Sequence, residues 1–238
     1  MKILEKKDNQ ITFEAEIEES LANAIRRYLN HVPTIAIKDV EIIKNGSPLY
    51  DETVAHRMGL IPIKNKSLKK DEKIILNLKS DKEGMVYSNL LKGDAEVIYG
   101  EIPITSLDKN QEIEIIAEVG EGIGKEHSKY SPGFMYYRNV CELTLDKKYL
   151  SEIKKIFPNL EVKEKGEKII IKDDNKKSIG DTCEGLCEKN REKAEIKIEK
   201  NLIISLESFG QMEVKETFKK SVEELKKDLN EFSKKISK

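Results

Sequence analysis

Tryptophan is absent from this sequence and aromatic residues make up only 6% of it, so the core has to be built from aliphatic side chains under a charged surface. Three cysteines, Cys141, Cys183 and Cys187, are too few and too unevenly spaced for the disulfide framework of a small secreted domain. No apolar run approaches the roughly eighteen residues that span a bilayer, and the first residues enter a strand-like alternation rather than a signal-peptide pattern. A soluble, cytoplasmic protein without membrane contact is expected. An excess of one charge is missing too, because 43 basic against 44 acidic residues leave a net charge of -1. Domains that hold nucleic acid by their net field are strongly basic, so any role toward DNA is expected to be indirect.

Recognisable reaction chemistry is also scarce. His56 has no companion at metal-ligand spacing, and nothing in the spacing of His56, His127 and Cys187 brings them together as a nucleophile with its base. The run Gly120 to Ser128 resembles a phosphate loop only superficially. Val119 stands where the first glycine belongs and Glu126 where Ser or Thr would bind magnesium, while Lys125 replaces the third glycine of a dinucleotide fingerprint. It reads as a mobile loop. Cys183 and Cys187 form a C-x3-C pair that falls short of the four ligands of a zinc or iron-sulfur site, and Cys141 lies far off in a strand pattern.

What the sequence does contain is periodicity. Ile3 to Glu5, then Ile11, Phe13, Ala15 and Ile17, alternate around Asp8-Asn9 as a hairpin. Between Glu19 and about Asn30 the period becomes helical, with Leu21, Ala24, Ile25, Tyr28 and Leu29 on one face and Arg26 and Arg27 beside it, until Pro33. Paired arginines there are either solvated or aimed at a partner's carboxylates. Ile35, Ile37, Val40, Ile42 and Ile43 resume an extended pattern. Asp51 to Met58 reads as a short helix capped by Asp51 and closed by a left-handed Gly59. Residues 64–145 are predominantly β, with Ile74, Leu76 and Leu78 and then Ile113, Ile115, Ala117 and Val119 alternating. Tyr149, Leu150, Ile153 and Ile156 form a short helix before Pro158, and Ile169 to Ile171 a small strand. Ala194 to Ile198 and Leu202 to Leu206 restore the β pattern across a turn at Lys200-Asn201.

The most regular stretch is the last. Phe218, Val222, Leu225, Leu229, Phe232 and Ile236 recur at spacings of four and three, a heptad seam in an otherwise charged helix. Six large apolar side chains represent about 10 kcal/mol or more of burial before ordering entropy. The seam requires a partner, which is either this chain's own core or another subunit. The pattern predicts an α+β protein. Residues 1–44 and 194–238 form a terminal-segment domain of sheet and two helices, residues 45–145 a large β-rich insert domain, and residues 146–193 a small α/β insertion.

Four segments then carry a family resemblance. Ala22-Asn23-Ala24-Ile25-Arg26-Arg27 with Val32 to Ile37, Leu49-Tyr50-Asp51-Glu52 with Ala55 to Ile63, His127 to Pro132, and Glu207-Ser208-Phe209-Gly210 resemble, in order, the α-like subunit of archaeal RNA polymerase. That family is related to the eukaryotic third-largest subunit and the bacterial α N-terminal domain. The resemblance implies a non-catalytic assembly subunit of DNA-directed RNA polymerase. It pairs with the small α-like subunit L as a heterodimer, the platform for the large catalytic subunits. By position, Leu21, Ile25, Leu29, Phe218, Val222, Leu225, Leu229 and Phe232 become the surface facing subunit L. Arg26, Arg27, His56 and Arg57 become candidates for docking the large subunits. A self-associating homodimer, as in the bacterial relative, is the alternative. Many members also carry a ferredoxin-like insertion with an iron-sulfur cluster, which residues 146–190 resemble in length and place. Gly185 and Asn190 sit where further ligands would be expected beside Cys183 and Cys187, so a cluster-free remnant without cofactor is predicted.

Overall fold

The structure, a computed structural model, describes residues 1–66, 73–158, 160–172 and 179–237. In chain order the elements are β1 (Lys2–Lys6), β2 (Gln10–Ala15), α1 (Glu19–Tyr28) continued by a 3-10 turn Leu29–His31, β3 (Pro33–Asn45) and α2 (Asp51–Gly59). There follow β4 (Ile74–Ser80), β5 (Gly84–Tyr87), β6 (Lys92–Gly93), β7 (Pro103–Leu107), β8 (Ile113–Ile123), a 3-10 turn Ser128–Tyr130 and β9 (Gly133–Asp146). The chain continues with α3 (Leu150–Ile156), β10 (Val162–Lys165), β11 (Lys168–Lys172), α4 (Ile179–Lys189), β12 (Glu195–Ser208) and α5 (Val214–Ile236). It is a mixed α and β protein whose residues group into two compact units, and no described helix is long and apolar enough to cross a membrane.

One unit comprises Met1–Lys6, Ile11–Ala22 and Tyr136–Ser205. Its strands belong to a six-stranded sheet in the order β1-β2-β12-β9-β11-β10. Leu143 and Leu145 of β9 and Ile169 and Ile171 of β11 form one apolar cluster with Tyr149, Ile153 of α3, and Ile179, Cys183 and Cys187 of α4. The β9–β11 register sets Leu145 opposite Ile169 and Leu143 opposite Ile171, so the inward residues face the same side. The polar stretch around the two cysteines thus folds as a helix that buries both, at spacing i and i+4 on one face. The predicted insertion 146–193 also includes residues 173–178, which lie outside the described residues.

The turn expected at Lys200-Asn201 is not there. β12 runs through those residues as one strand, and Asn201 Nδ2 donates to Glu14 Oε1 at 2.6 Å, so the amide side chain serves a sheet contact instead of a turn. Leu202, Ile204 and Leu206 are buried, whereas Ile196 and Ile198 are exposed.

The other unit comprises Lys7–Gln10, Asn23–Met135 and Leu206–Lys238. Its four-stranded sheet has the order β3-β8-β4-β6, beside a two-stranded β5-β7 pair. Ile74, Leu76 and Leu78 pair directly with Val119, Ala117 and Ile115, which puts all six on the buried face. On β3 the core residues Ile35 and Ile37 are out of phase with Val40 and Ile42. A register shift between Ile37 and Asp39 restores the phase, so that Val40 and Ile42 pair with Ala117 and Ile115 and pack on the same core. Val54 and Met58 of α2 complete it.

Two local expectations are corrected here. Asp51 is the first residue of α2 rather than its cap, which is Tyr50, and Gly59 is the last helical residue rather than a left-handed stop. The glycine-rich run at 120–123 is strand, not loop, since Gly120 pairs with Ala36 and Gly122 with Thr34. Its glycine has a packing reason: a Cβ on Gly122 would lie 2.6 Å from the Tyr130 ring.

Candidate partner-binding surface

Helix α5 is held at its start and bare at its end. Val214, Thr217, Ser221 and Leu225 form its buried stripe, and from Lys226 to Ser237 every residue is exposed. Two of the four buried positions are hydroxyls that satisfy themselves on their own helix. Thr217 Oγ1 donates to Glu213 O at 3.0 Å and Ser221 Oγ to Phe218 O at 2.7 Å. They need no partner from the core, and their small size lets the helix approach closely. This inner stripe is offset from the heptad seam. Phe218 and Val222 are half-buried and Leu225 is buried, while Leu229, Phe232 and Ile236 are 57%, 63% and 68% exposed.

The seam is therefore divided between two fates, its first half leaning on this chain and its second half uncovered. Isolated helices shorter than about 12–15 residues are marginal in water, so the last three turns draw their order from the anchored turns before them. Glu216 in the first turn and Lys234 and Lys235 in the last complement the helix dipole.

Of the three residues of α1 and the 3-10 turn after it that were expected to face a partner, only Leu21 is exposed, at 45%. Ile25 and Leu29 are buried at 6% and 2%, and Leu225 at 8%, so these three are already covered by the chain itself. The buried stripe of this helix and turn is Ala22, Ile25 and Leu29, rotated from the expected face that began at Leu21, which is exposed.

Arg26 and Arg27 border a cleft of about 520 Å3 together with Tyr28, His31, Lys125 and Asp228. The Arg26 guanidinium donates twice to Asn23 Oδ1, at 2.9 and 3.3 Å. The Tyr28 and His31 rings stack with centroids 4.6 Å apart. Tyr28 OH donates to Asp228 Oδ2 at 2.8 Å, which ties α1 to α5, and that bond raises the phenol above its usual pKa. Among the described residues the one carboxylate lining the cleft is thus engaged by a hydroxyl, while three basic side chains, Arg26, Arg27 and Lys125, border the same space. The arrangement suits an acidic group. Lys125, placed there by its backbone N–H on Asn30 O at 2.9 Å, went unnoticed in the sequence because its glycine-rich setting resembled a failed phosphate loop.

His56 and Arg57 lie on the exposed side of α2. Arg57 Nη1 donates to the carbonyl of buried Ile104 at 2.9 Å, so it braces α2 against β7. His56 and His127 are not brought together with Cys187 in any metal-competent cluster among the described residues.

The cysteines sit in an apolar setting. Burial, followed by the neighbouring Cys187 and Cys141, pushes the Cys183 thiol up to about 11, and burial also raises Cys187. A cluster ligand must be a thiolate, and these surroundings favour the protonated form. Among the described residues no group of three or more His, Cys, Asp or Glu side chains is placed to hold a metal ion.

Residues 35–136 match the family described as the RNA polymerase Rpb3/RpoA insert domain, which defines the chain as a protein carrying that domain. The DNA-directed RNA polymerase subunit Rpo3 of Pyrococcus horikoshii is 37% identical over 161 residues, covering 62% of this chain and 62% of the relative. Its Methanocaldococcus jannaschii counterpart is 45% identical over 125 residues, covering 52% and 65%. That of Thermococcus kodakarensis is 36% identical over 187 residues, covering 71% and 72%. The match spans a little under two thirds of the first two relatives and more than two thirds of the third. The chain belongs to the Rpo3 family of DNA-directed RNA polymerase subunits.

Proposed function

We propose that this chain is the α-like assembly subunit of an archaeal DNA-dependent RNA polymerase, and that it has no active site of its own. It pairs with the small α-like subunit L, and the heterodimer is the cytoplasmic platform on which the large catalytic subunits assemble. One observation carries the reading: Leu229, Phe232 and Ile236 form an exposed apolar stripe on a helix whose other face is anchored. An exposed apolar stripe of this kind marks a protein–protein interaction site.

The pairing surface is that stripe with Phe218 and Val222; exposed Leu21, in the other compact unit, is a further partner-facing candidate, and Ile25, Leu29 and Leu225 are buried within the chain. By role, residues 1–44 and 194–238 act as the dimerisation domain, residues 45–145 as the insert domain and residues 146–193 as a small insertion. This grouping cuts across the two compact units. The basic cleft at Arg26 and Arg27 receives acidic side chains of a large subunit, and the exposed His56 contributes a contact to the large subunits. Arg57 acts by bracing α2. DNA is reached only through the large subunits, which carry the phosphodiester chemistry. The insertion works without a cofactor, and a brown preparation with stoichiometric iron after anaerobic purification would refute that part.

Co-expression with subunit L tests the central claim. A stable one-to-one complex is expected. A symmetric dimer of this chain alone, excluding subunit L, would mean a homodimeric scaffold instead.

A further inference from the structure

The glycine-rich run just past β8 has a use that its failed phosphate-loop spacing did not suggest. Gly124 approaches the end of α1 so closely that a Cβ there would lie 2.9 Å from Asn30 Oδ1 and 3.1 Å from the Ser131 Cα. Asn30 Oδ1 accepts from Ser131 Oγ at 2.9 Å, and Asn30 O accepts from Lys125 N–H at 2.9 Å. The Lys125 backbone is thereby fixed beside the last turn of α1, which carries Arg26 and Arg27.

The charges around this cleft of about 520 Å3 do not cancel. Arg26 directs its donors at the neutral Asn23 amide oxygen, which leaves its charge in place. Arg27 and Lys125 form no ion pair and no side-chain hydrogen bond among the described residues. Asp228, the one acid among the described lining residues, accepts from the neutral Tyr28 hydroxyl and so counts as a full negative charge. Three positive charges against one leave the lining at +2. The C-terminal end of α1 offsets about half a charge of that, and the sign stays positive.

Such a lining selects a compact anion of two or more charges. Among the described residues Ala24 is the one aliphatic group in it, so an apolar side chain finds no seat. A single carboxylate brings one charge and two oxygens. A phosphate brings about −1.5 to −2 at neutral pH with three acceptor oxygens, and linked phosphates multiply both. Guanidinium forks and an ammonium are the donors that recognise those oxygens. Asn30 lines the same space, and with its Oδ1 taken by Ser131 its side chain has only N–H groups left to offer.

We propose that the cleft between the end of α1 and the Gly124-Lys125 turn binds a multivalent phosphate, the phosphate chain of a nucleotide or free pyrophosphate, through Arg26, Arg27 and Lys125. The site itself rests on this chain's own charges. Its consequence rests on the assembly-subunit reading: acidic side chains of a large subunit seek the same cations, so phosphate occupies the cleft in the unassembled chain and competes with docking there.

The test is titration calorimetry of the full chain with sodium pyrophosphate at low salt. Saturable one-to-one binding with a Kd below about 1 mM is expected, and it weakens as salt rises. Arg27→Gln and Lys125→Gln change exposed side chains that the fold does not use; each weakens binding about three- to fivefold, and together about tenfold or more. Asp228→Asn removes the opposing charge yet keeps an acceptor for the Tyr28 hydroxyl, and it tightens binding, a gain that a damaged fold cannot imitate. ATP binding several-fold more tightly than pyrophosphate assigns the site to a nucleotide, and equal or weaker binding assigns it to the bare phosphate chain. No saturable binding below about 1 mM, several equivalents bound per chain, or affinities indifferent to all three substitutions overturns the proposal. Recovery of the large subunits by this chain with subunit L is measured with and without pyrophosphate. Lower recovery with it is expected, and unchanged recovery at saturation overturns the competition. If docking proceeds while calorimetry shows no binding, only this inference falls; if pyrophosphate binds and no docking is found, the assembly reading falls and the site stands.

Discussion

Replacing Leu229 and Phe232 together by Asp is the most discriminating perturbation of the proposed pairing surface. In the isolated chain the two side chains are 57% and 63% exposed, so a partner can still cover roughly three fifths of each. Full burial of such a side chain is worth about 1.5–3 kcal/mol, and the two uncovered fractions therefore contribute roughly 2–4 kcal/mol to association. Two carboxylates forced into a covered seam add a desolvation cost of at least about 1 kcal/mol each. The sum, about 4 kcal/mol or more, corresponds to roughly a thousandfold weaker Kd. The fold should hardly respond, because neither residue packs on the core; only helix propensity changes, by under about 1 kcal/mol in total. Size-exclusion chromatography and titration calorimetry with subunit L read the loss, and the melting temperature of the chain alone reads the control. Pairing unchanged within about threefold would refute the reasoning, and so would a variant that no longer folds.

Leu225 separates the two faces of the same helix: at 8% exposure, Leu225→Ala is expected to lose about 2–4 kcal/mol of stability in urea unfolding, whereas a purely partner-facing residue would lose almost none. Arg57→Ala removes the donor to the Ile104 carbonyl and should cost about 1–2 kcal/mol; an unchanged denaturation midpoint would show that the brace is unimportant. Cys183, pushed up to about 11 from an ordinary 9.0, should resist iodoacetamide at neutral pH until the chain is denatured, and rapid labelling of the native protein would contradict its burial. Because its folded value is the higher one, the Cys183 contribution to stability is complete below pH 9.0 and lost as pH rises toward about 11. Cys183→Ala should flatten the stability profile across that window. Tyr28→Phe breaks the tie to Asp228 and should speed hydrogen exchange in the second half of α5, whose described residues from Lys226 onward are all exposed.

Much of the fold was legible because its strands are half-buried and alternate. Ile113 to Val119 and Ile74 to Leu78 show their inward face by period alone. Elsewhere the local signal was overridden by packing. The glycines at 120 and 122 suggested a loop, yet they make a strand, because Lys38 and Tyr130 lie where their side chains would be. Lys200-Asn201 suggested a turn, yet the sheet on both sides keeps the backbone extended. The cysteine segment gave no clear period because its helix buries only Ile179, Cys183 and Cys187.

The candidate site divided in the same way. Sequence alone determined that an amphipathic helix ends the chain, that Arg26 and Arg27 lie beside an apolar face, and that the resemblance runs through four ordered segments. These depend on spacing along the chain, which periodicity reports directly. Tertiary structure decided which half of the seam remains open, since that follows from where Thr217 and Ser221 let α5 approach the core. It also decided that Lys125 joins the arginines and that Leu60, Phe209 and Gln211 share a cleft, because proximity across a hundred or more residues is set by sheet register and close packing, which no local pattern encodes.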